Sequence, residues 1–138
     1  VHVFLEKDKG TLYLDTSGEP LFKRGWRAGQ GEAPLRENLA AGIVMLTGWQ
    51  PGEPLLDPMC GGATLLVEAA AMARGRAPGA KRRFGFENLG AFDAPLWESI
   101  KHEARESAAC ELYGSDNDPE ALKAARRNRP RSNTRPST

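Results

Sequence analysis

The sequence predicts an α/β fold built on a parallel sheet and preceded by a short antiparallel β meander. Two strand–helix units carry the first part of that statement. Leu55-Leu56 is a short apolar run that ends at Asp57-Pro58 and crosses the small residues 59–63. It enters the pattern Leu65, Leu66, Ala69, Met72 and Ala73, the spacing of a buried helix. Glu111-Leu112-Tyr113-Gly114-Ser115-Asp116 is a second run, and it opens onto Asp118 and Pro119, an N-cap residue with proline at the first helical position. Strand and helix alternating in this way return the chain to the same end of a sheet, so the two strands run parallel. The meander rests on a third observation. Residues 1–5 and 12–14 alternate apolar with other side chains around Asp8-Lys9-Gly10, which supplies turn chemistry.

In chain order, the turn-prone residues 15–20 are expected to lead into a third strand over 21–27, with Phe22, Arg24 and Trp26 on one side, although Gly25 weakens a strand interior. Residues 28–33 are a Gly-rich loop. Leu35, Leu39, Ile43 and Leu46 then recur at helical spacing, with Pro34 suited to the first turn and Gly48 to the C-terminal cap, which predicts a helix over 34–47. Residues 50–54 form a turn, and the strand at Leu55 has the apolar character of a buried parallel strand. Residues 77–92 read as irregular, with Lys81-Arg82-Arg83 beside Phe84 and Phe86. Asp93 caps a helix bearing Leu96, Trp97, Ile100 and Ala104. Trp26, Trp49 and Trp97 each sit in an apolar pattern and are expected in the core. Residues 129–138 have no apolar periodicity and cannot bury enough surface to offset their ordering entropy, so a disordered basic tail is expected there.

Composition bounds the function classes. With 40% apolar and 27% charged residues in 138, the chain is a globular domain of ordinary size. No stretch approaches the roughly 18 apolar residues of a membrane span, so no membrane partner and a cytoplasmic location are expected. Cys60 and Cys110 lack the paired spacing of a zinc or redox motif and are read as reduced thiols, and His2 and His102 are isolated, so no metal site is assigned. Net charge is +1, but Lys123, Arg126, Arg127, Arg129, Arg131 and Arg135 crowd the C-terminal end. The chain opens on Val1 inside a strand pattern, as a piece of a longer protein would.

The chemistry lies at the strand tips. Ligands of open α/β sheets settle beyond the carboxyl ends of the strands, where small residues let a ligand approach backbone N–H groups at the next helix. Asp57, Pro58, Cys60, Gly61, Gly62, Ala63 and Thr64 make such a loop: the helix end favours a carboxylate, and Asp57 can hold an ammonium. Asp116, at the tip of the second strand, can accept hydrogen bonds from ribose hydroxyls, with adenine against Asn117. An amino acid joined to a nucleoside satisfies both ends, and S-adenosylmethionine is that ligand. Taken singly, Asp57-Pro58 and its glycines also read as a plain turn, and Asp116 as a turn or capping aspartate before Asp118.

At these residues the sequence resembles the THUMP-associated RNA guanine-N2 methyltransferases, in particular those acting on bacterial 23S ribosomal RNA. The match spans nearly all of residues 3–128. Its blocks are Leu14-Asp15-Thr16-Ser17-Gly18-Glu19-Pro20-Leu21 with Arg24-Gly25-Trp26-Arg27, then residues 33–41 (Ala-Pro-Leu-Arg-Glu-Asn-Leu-Ala-Ala), Asp57-Pro58-Met59-Cys60-Gly61, and Tyr113-Gly114-Ser115-Asp116. The resemblance implies a Rossmann-like class I methyltransferase core, truncated, that binds S-adenosylmethionine and acts on RNA. It makes residues 57–64 the first methyltransferase motif and Asp116 the acid of the second. It places Pro34 and Asn38 at a helix start that closes over the methionine end. It divides the chain into a β-rich segment, 1–33, leading from an RNA-binding THUMP domain, a partial cofactor-binding domain, 34–128, and the tail. Ala63 departs from the family's usual glycine, at little cost if its φ is negative and more if positive, and Asn117 stands where an apolar residue often packs on adenine. The family's catalytic Asn/Asp-Pro-Pro-aromatic motif is missing: no Pro-Pro pair occurs, and no catalytic residue is assigned.

Rival readings separate on spacing. A nicotinamide oxidoreductase would need Gly-x-Gly-x-x-Gly after Leu56 and an acid about 20 residues on, and a P-loop hydrolase would need Gly-Lys-Ser/Thr; neither is present. A non-enzymatic RNA-binding module using Lys81-Arg82-Arg83 near Phe84 and residues 126–135, and a transfer RNA guanine-N2 methyltransferase, remain as alternatives.

Overall fold

The computed structural model describes residues 1–28, 34–101 and 108–128. Strands β1 (His2–Glu6) and β2 (Lys9–Tyr13) pair antiparallel, with His2 opposite Tyr13 and Glu6 opposite Lys9. The turn falls one residue earlier than Asp8-Lys9-Gly10 suggests: Lys7 and Asp8 both take positive φ, 44° and 63°, and Gly10 lies within β2 opposite Leu5. Two left-handed residues in a two-residue connection match the twist of a hairpin. Every residue of both strands is exposed.

Residues 21–27 do not form the third strand expected of them. The amide of Lys23 closes a turn on the Pro20 carbonyl at 3.0 Å, Arg24 N–H donates to Phe22 O at 2.9 Å, and Gly25 takes φ 72°. The segment is instead held by its side chains, described below.

Helix α1 (Glu37–Leu46) begins three residues later than the sequence suggests. The physical reason is Arg27, whose Nη2 takes the Leu35 carbonyl at 2.8 Å while Arg36 stays extended, so Pro34 and Leu35 lead into the helix without belonging to it. Its end is as expected: Gly48, at φ 76°, follows the C-cap Thr47. Strand β3 (Leu55–Asp57) pairs parallel with β4 (Leu112–Gly114), Leu55 opposite Leu112 and Asp57 opposite Gly114. Between them run α2 (Thr64–Ala73), the 3-10 turn 85–88 and α3 (Ala94–Lys101), and α4 (Pro119–Asn128) follows β4. The capping aspartates behave as expected: Asp93 accepts Leu96 N–H and Asp118 accepts Glu120 N–H, each at 2.9 Å.

The core lies between α1 and α2 and is made of small side chains. Ala40 and Val44, one turn apart on α1, and Val67, Ala69, Ala70 and Ala73 of α2 are all buried where the two helices pack. Leu56 is not buried as a central parallel strand would be. It is 64% exposed, because the parallel sheet has two strands among the described residues. The tryptophans are half-buried rather than fully enclosed. Trp97 meets Phe84 and Phe86 edge-on in an aromatic cluster, and Trp49 donates to the Glu53 carbonyl at 2.9 Å. The expected helix position Ala104, His102, most of the loop 28–33 and the tail 129–138 lie outside the described residues. No described helix is long and apolar enough to cross a membrane.

Candidate functional site

The parallel register brings the two aspartates to the same end of the sheet. Past the last paired residues, Ser115 N–H donates to Asp57 O at 3.0 Å and Cys60 N–H donates to Ser115 O at 2.9 Å, so the two strand tips are laced together. The Asp116 carboxylate completes the lacing: Oδ2 accepts Gly61 N–H at 2.8 Å and Oδ1 accepts Asp118 N–H at 3.0 Å. Those bonds, from Asp118 first and Gly61 second, hold its carboxyl below the ordinary aspartate range. Asp116 thus acts both as a turn aspartate before Asp118 and as a group facing the glycine loop. Asp57 Oδ1 accepts Met59 N–H at 3.1 Å, and Oδ2 meets no protein donor among the described residues.

The loop itself is tightly wound. Ala63 N–H returns to Cys60 O at 2.7 Å, Gly61 takes φ 51°, and Ala63 takes φ 63°. Ala63 therefore sits where glycine is preferred, at a cost of about 1–2 kcal/mol, and it forms the N-cap of α2 without a side-chain cap. Gly114 meets a different demand. A Cβ there would lie 2.6 Å from Leu66 Cδ1 and 3.1 Å from Cys60 Sγ, so its bareness lets α2 and the loop close over β4. Burial raises the pKa of the Cys60 thiol, and the charges of Asp57 and Asp116 raise it further, so it is a packing group rather than a nucleophile. Among the described residues both cysteines are free and no group of three or more metal-ligating side chains occurs.

The predicted residues separate into two sets. Asp57, Pro58, Cys60, Gly61, Gly62, Ala63, Thr64, Asp116 and Asn117 gather at the tips of β3 and β4. Pro34 and Asn38 are exposed at the start of α1. The link from that helix start to the loop is Arg27, whose Nε donates to Glu37 Oε1 at 2.9 Å and whose Nη2 reaches Thr64 Oγ1 at 3.4 Å.

Three further attachments escape the linear reading. Arg24 Nη2 meets Glu68 Oε2 at 3.2 Å and Trp26 Nε1 donates to Glu68 Oε1 at 3.3 Å. Asn128, 2% exposed at the end of α4, donates from Nδ2 to Gly62 O at 3.0 Å and accepts Ala28 N–H at 2.9 Å. Residues 24–28 are thus pinned to α1, α2, the loop and α4. A signal for part of this existed: Glu37 and Glu68 fall on buried helix faces, and a buried carboxylate needs a cation. Nothing in the linear pattern marks Asn128.

The basic run 81–83 is largely occupied. Arg82 Nη2 donates to Ser17 O at 2.7 Å and to Glu19 O, its guanidinium lies 4.7 Å from the Phe84 ring centroid, and Arg83 pairs with Glu87 at 3.6 Å. Phe84 and Phe86 stack on each other at 5.3 Å and are half-buried, which removes them as free base-stacking platforms.

Residues 24–135 match the family described as RMKL-like, methyltransferase domain. The chain belongs to that family. A curated relative of this RMKL-like domain, the ribosomal RNA large subunit methyltransferase K/L of Vibrio campbellii (strain ATCC BAA-1116), is 52% identical over 136 residues, which cover 93% of this chain and 19% of that protein. Among solved structures, SMU.472, assigned to the methyltransferases and determined in complex with SAH, superposes with a TM-score of 0.78 at 38% identity. A chain from Listeria monocytogenes str. 4b F2365, described as a predicted N6-adenine-specific DNA methylase, superposes with a TM-score of 0.76, also at 38% identity. Each superposition covers 91% of this chain and 34% of the other. The chain therefore spans about a fifth of its curated relative and a third of these structures. The RMKL-like core is α/β, with the hairpin of β1 and β2 before it.

Proposed function

We propose that this chain is the cofactor-holding part of an S-adenosylmethionine-dependent RNA methyltransferase acting on large-subunit ribosomal RNA, with a guanine N2 amine as the acceptor that the sequence resemblance implies. The observation that carries the reading is the bond from Gly61 N–H to Asp116 Oδ2, 2.8 Å, which ties the glycine loop to the second acidic strand tip. The name of the Vibrio relative supports the ribosomal RNA substrate, and the SAH bound to SMU.472 supports the cofactor.

The residues present fit the group. A Cβ built on Gly61 would meet nothing within 4 Å, so the loop is open to backbone approach there. Asp57 keeps one carboxylate oxygen without a protein donor among the described residues, which suits an ammonium, and Asp116 holds a negative charge suited to ribose hydroxyls. S-adenosylmethionine, when bound, supplies a methyl group activated on sulfonium. This chain's part is to bind and orient: Asp57 and the start of α2 take the amino acid end, Asp116 the ribose, and residues 117–118 border the base. Fixing an acceptor amine in line with the methyl requires a further hydrogen-bond acceptor and an aromatic platform. The Asn-Pro-Pro-aromatic motif that would provide them is absent from this sequence, so the chain alone is expected to transfer no methyl group.

Calorimetric titration with S-adenosylmethionine tests the reading. Weak binding by the chain, abolished in both Asp57→Ala and Asp116→Ala, is expected; binding that survives both substitutions would overturn the site. Labelling with tritiated cofactor, run on ribosomal RNA, transfer RNA and DNA with a chain extended through the missing motif, separates the substrate classes. Preferential labelling of transfer RNA or DNA would overturn the ribosomal assignment.

A further inference from the structure

Residues 24–26 and 28, α1, α2, the loop 74–81 and the end of α4 line an open groove of about 1000 Å³. Its lining combines small and apolar side chains of the two helices, Ala41, Met45, Val67 and Ala71 among them, with cationic ones. Arg24, Arg74, Arg76, Lys81 and Arg127 line it against a single carboxylate, Glu68. That carboxylate is already engaged, accepting from Arg24 Nη2 and Trp26 Nε1 with its side chain 6% exposed. Four cations are left uncompensated. Arg74, Arg76, Lys81 and Arg127 are exposed, and among the described residues none of them forms an ion pair. Arg24 adds a buried donor, since its Nε has no hydrogen-bond partner among the described residues.

Four like charges around one volume repel one another, an arrangement that favours an anion with several separated charges. The cations sit on separate elements, two just past α2, one further along the loop and one on α4, and the groove is partly open to solvent. A polymer with a charge at each unit fits this better than a single phosphate or carboxylate. The groove also abuts the candidate site, because Asn128 lines it and holds the Gly62 carbonyl.

We propose that this groove is a track for the phosphodiester backbone of the RNA substrate, with Arg74, Arg76, Lys81 and Arg127 as its phosphate-binding residues. The identity of the polymer as RNA rests on the proposed function; the phosphate-binding chemistry rests on the groove alone. The track excludes Arg82, which is spent on the Ser17 and Glu19 carbonyls.

The test uses the 138-residue chain and a labelled single-stranded RNA, with DNA of the same sequence as a second arm, followed by fluorescence anisotropy at increasing salt. The triple variant R74A/R76A/K81A should weaken RNA binding by on the order of tenfold and reduce the slope of log affinity against log salt by about 2, from roughly 0.7 per lost contact. R74K/R76K should keep the wild-type slope. K7A/K9A/R83A removes the same charge outside the groove and should leave the slope nearly unchanged. Equal losses in the two triple variants would overturn the track in favour of net charge alone, as would an unchanged slope in the groove variant. Thermal melting checks that both remain folded. DNA bound as tightly as RNA, and lost in the same variant, would uphold the track and overturn RNA as its occupant. Loss of cofactor binding only in the site variants, with the salt slope intact, keeps the two proposals separable.

Discussion

Replacing Asn128 by alanine strips two backbone groups of their partners at once. Its Nδ2 donates to the carbonyl of half-buried Gly62 at 3.0 Å and its Oδ1 accepts the amide of Ala28, an exposed residue, at 2.9 Å, while Asn128 itself is 2% exposed. The half-buried Gly62 carbonyl left unsatisfied costs about 1–3 kcal/mol, whereas the Ala28 amide can turn to water, so the substitution should cost about 1–3 kcal/mol. Against the roughly 5–15 kcal/mol that holds a small domain folded, that is a large fraction. Urea unfolding followed by tryptophan fluorescence should show a lower midpoint at an unchanged slope. Asn128→Asp resolves the two halves of the interaction. It keeps the acceptor for Ala28 but sets a carboxylate oxygen against the Gly62 carbonyl, so its deficit should shrink on acidification, as the carboxyl gains a proton to donate. A stability for Asn128→Ala within about 0.5 kcal/mol of wild type, the range of an ordinary surface change, would refute the view that this side chain holds the loop.

Ala63→Gly should stabilise the fold by about 0.5–1 kcal/mol, raising the melting temperature by a few degrees, because φ 63° penalises alanine by more than glycine's extra chain entropy. Gly114→Ala should destabilise by about 1–3 kcal/mol in the same assay, since its methyl would press on Leu66 and Cys60; a neutral result would mean that the Leu66 rotamer yields freely. Asp116 has a lowered pKa in the fold, so its stabilising bonds are present above the ordinary aspartate value and are lost as pH falls through the lower folded value. Acid unfolding of Asp116→Asn should accordingly be flatter below about pH 4 than that of wild type, and identical profiles would remove Asp116 from the loop's support.

The strand–loop–helix unit around Asp57 was legible because its signals are local. An apolar run, small residues and a helical stripe adjoin in sequence, and Asp118-Pro119 marks α4 in the same way. Residues 21–27 misled because alternating Phe22, Arg24 and Trp26 is also what a bent segment shows when its side chains seek a buried glutamate 42 to 44 positions away. The start of α1 lies later than its pattern suggests for a more local reason: the Arg27 guanidinium, eight residues upstream, takes the Leu35 carbonyl, and the helix starts after it. The sign of φ at Ala63 is set by how the loop folds back on Cys60, which the residue's identity alone does not reveal. Asn128 was invisible because its partners, Gly62 and Ala28, are 66 and 100 residues distant.

Phe84, Phe86, Phe92 and Trp97 come together from one short stretch, whereas Asp116 must find Gly61 across 55 residues. Closing a small loop costs less entropy than closing a large one, so the aromatic knot can form while the parallel pair is still apart. It is not isolated in the finished fold: Phe86 N–H donates to Thr16 O at 2.9 Å, and Arg82 holds Ser17. Its ties to the hairpin's exit, Arg82 to Ser17 across 65 residues among them, span more chain than the 55 residues between Gly61 and Asp116, so they join the registration of β3 on β4 among the later events. Substitutions at Trp97 should slow refolding, while those at Gly114 should mainly hasten unfolding.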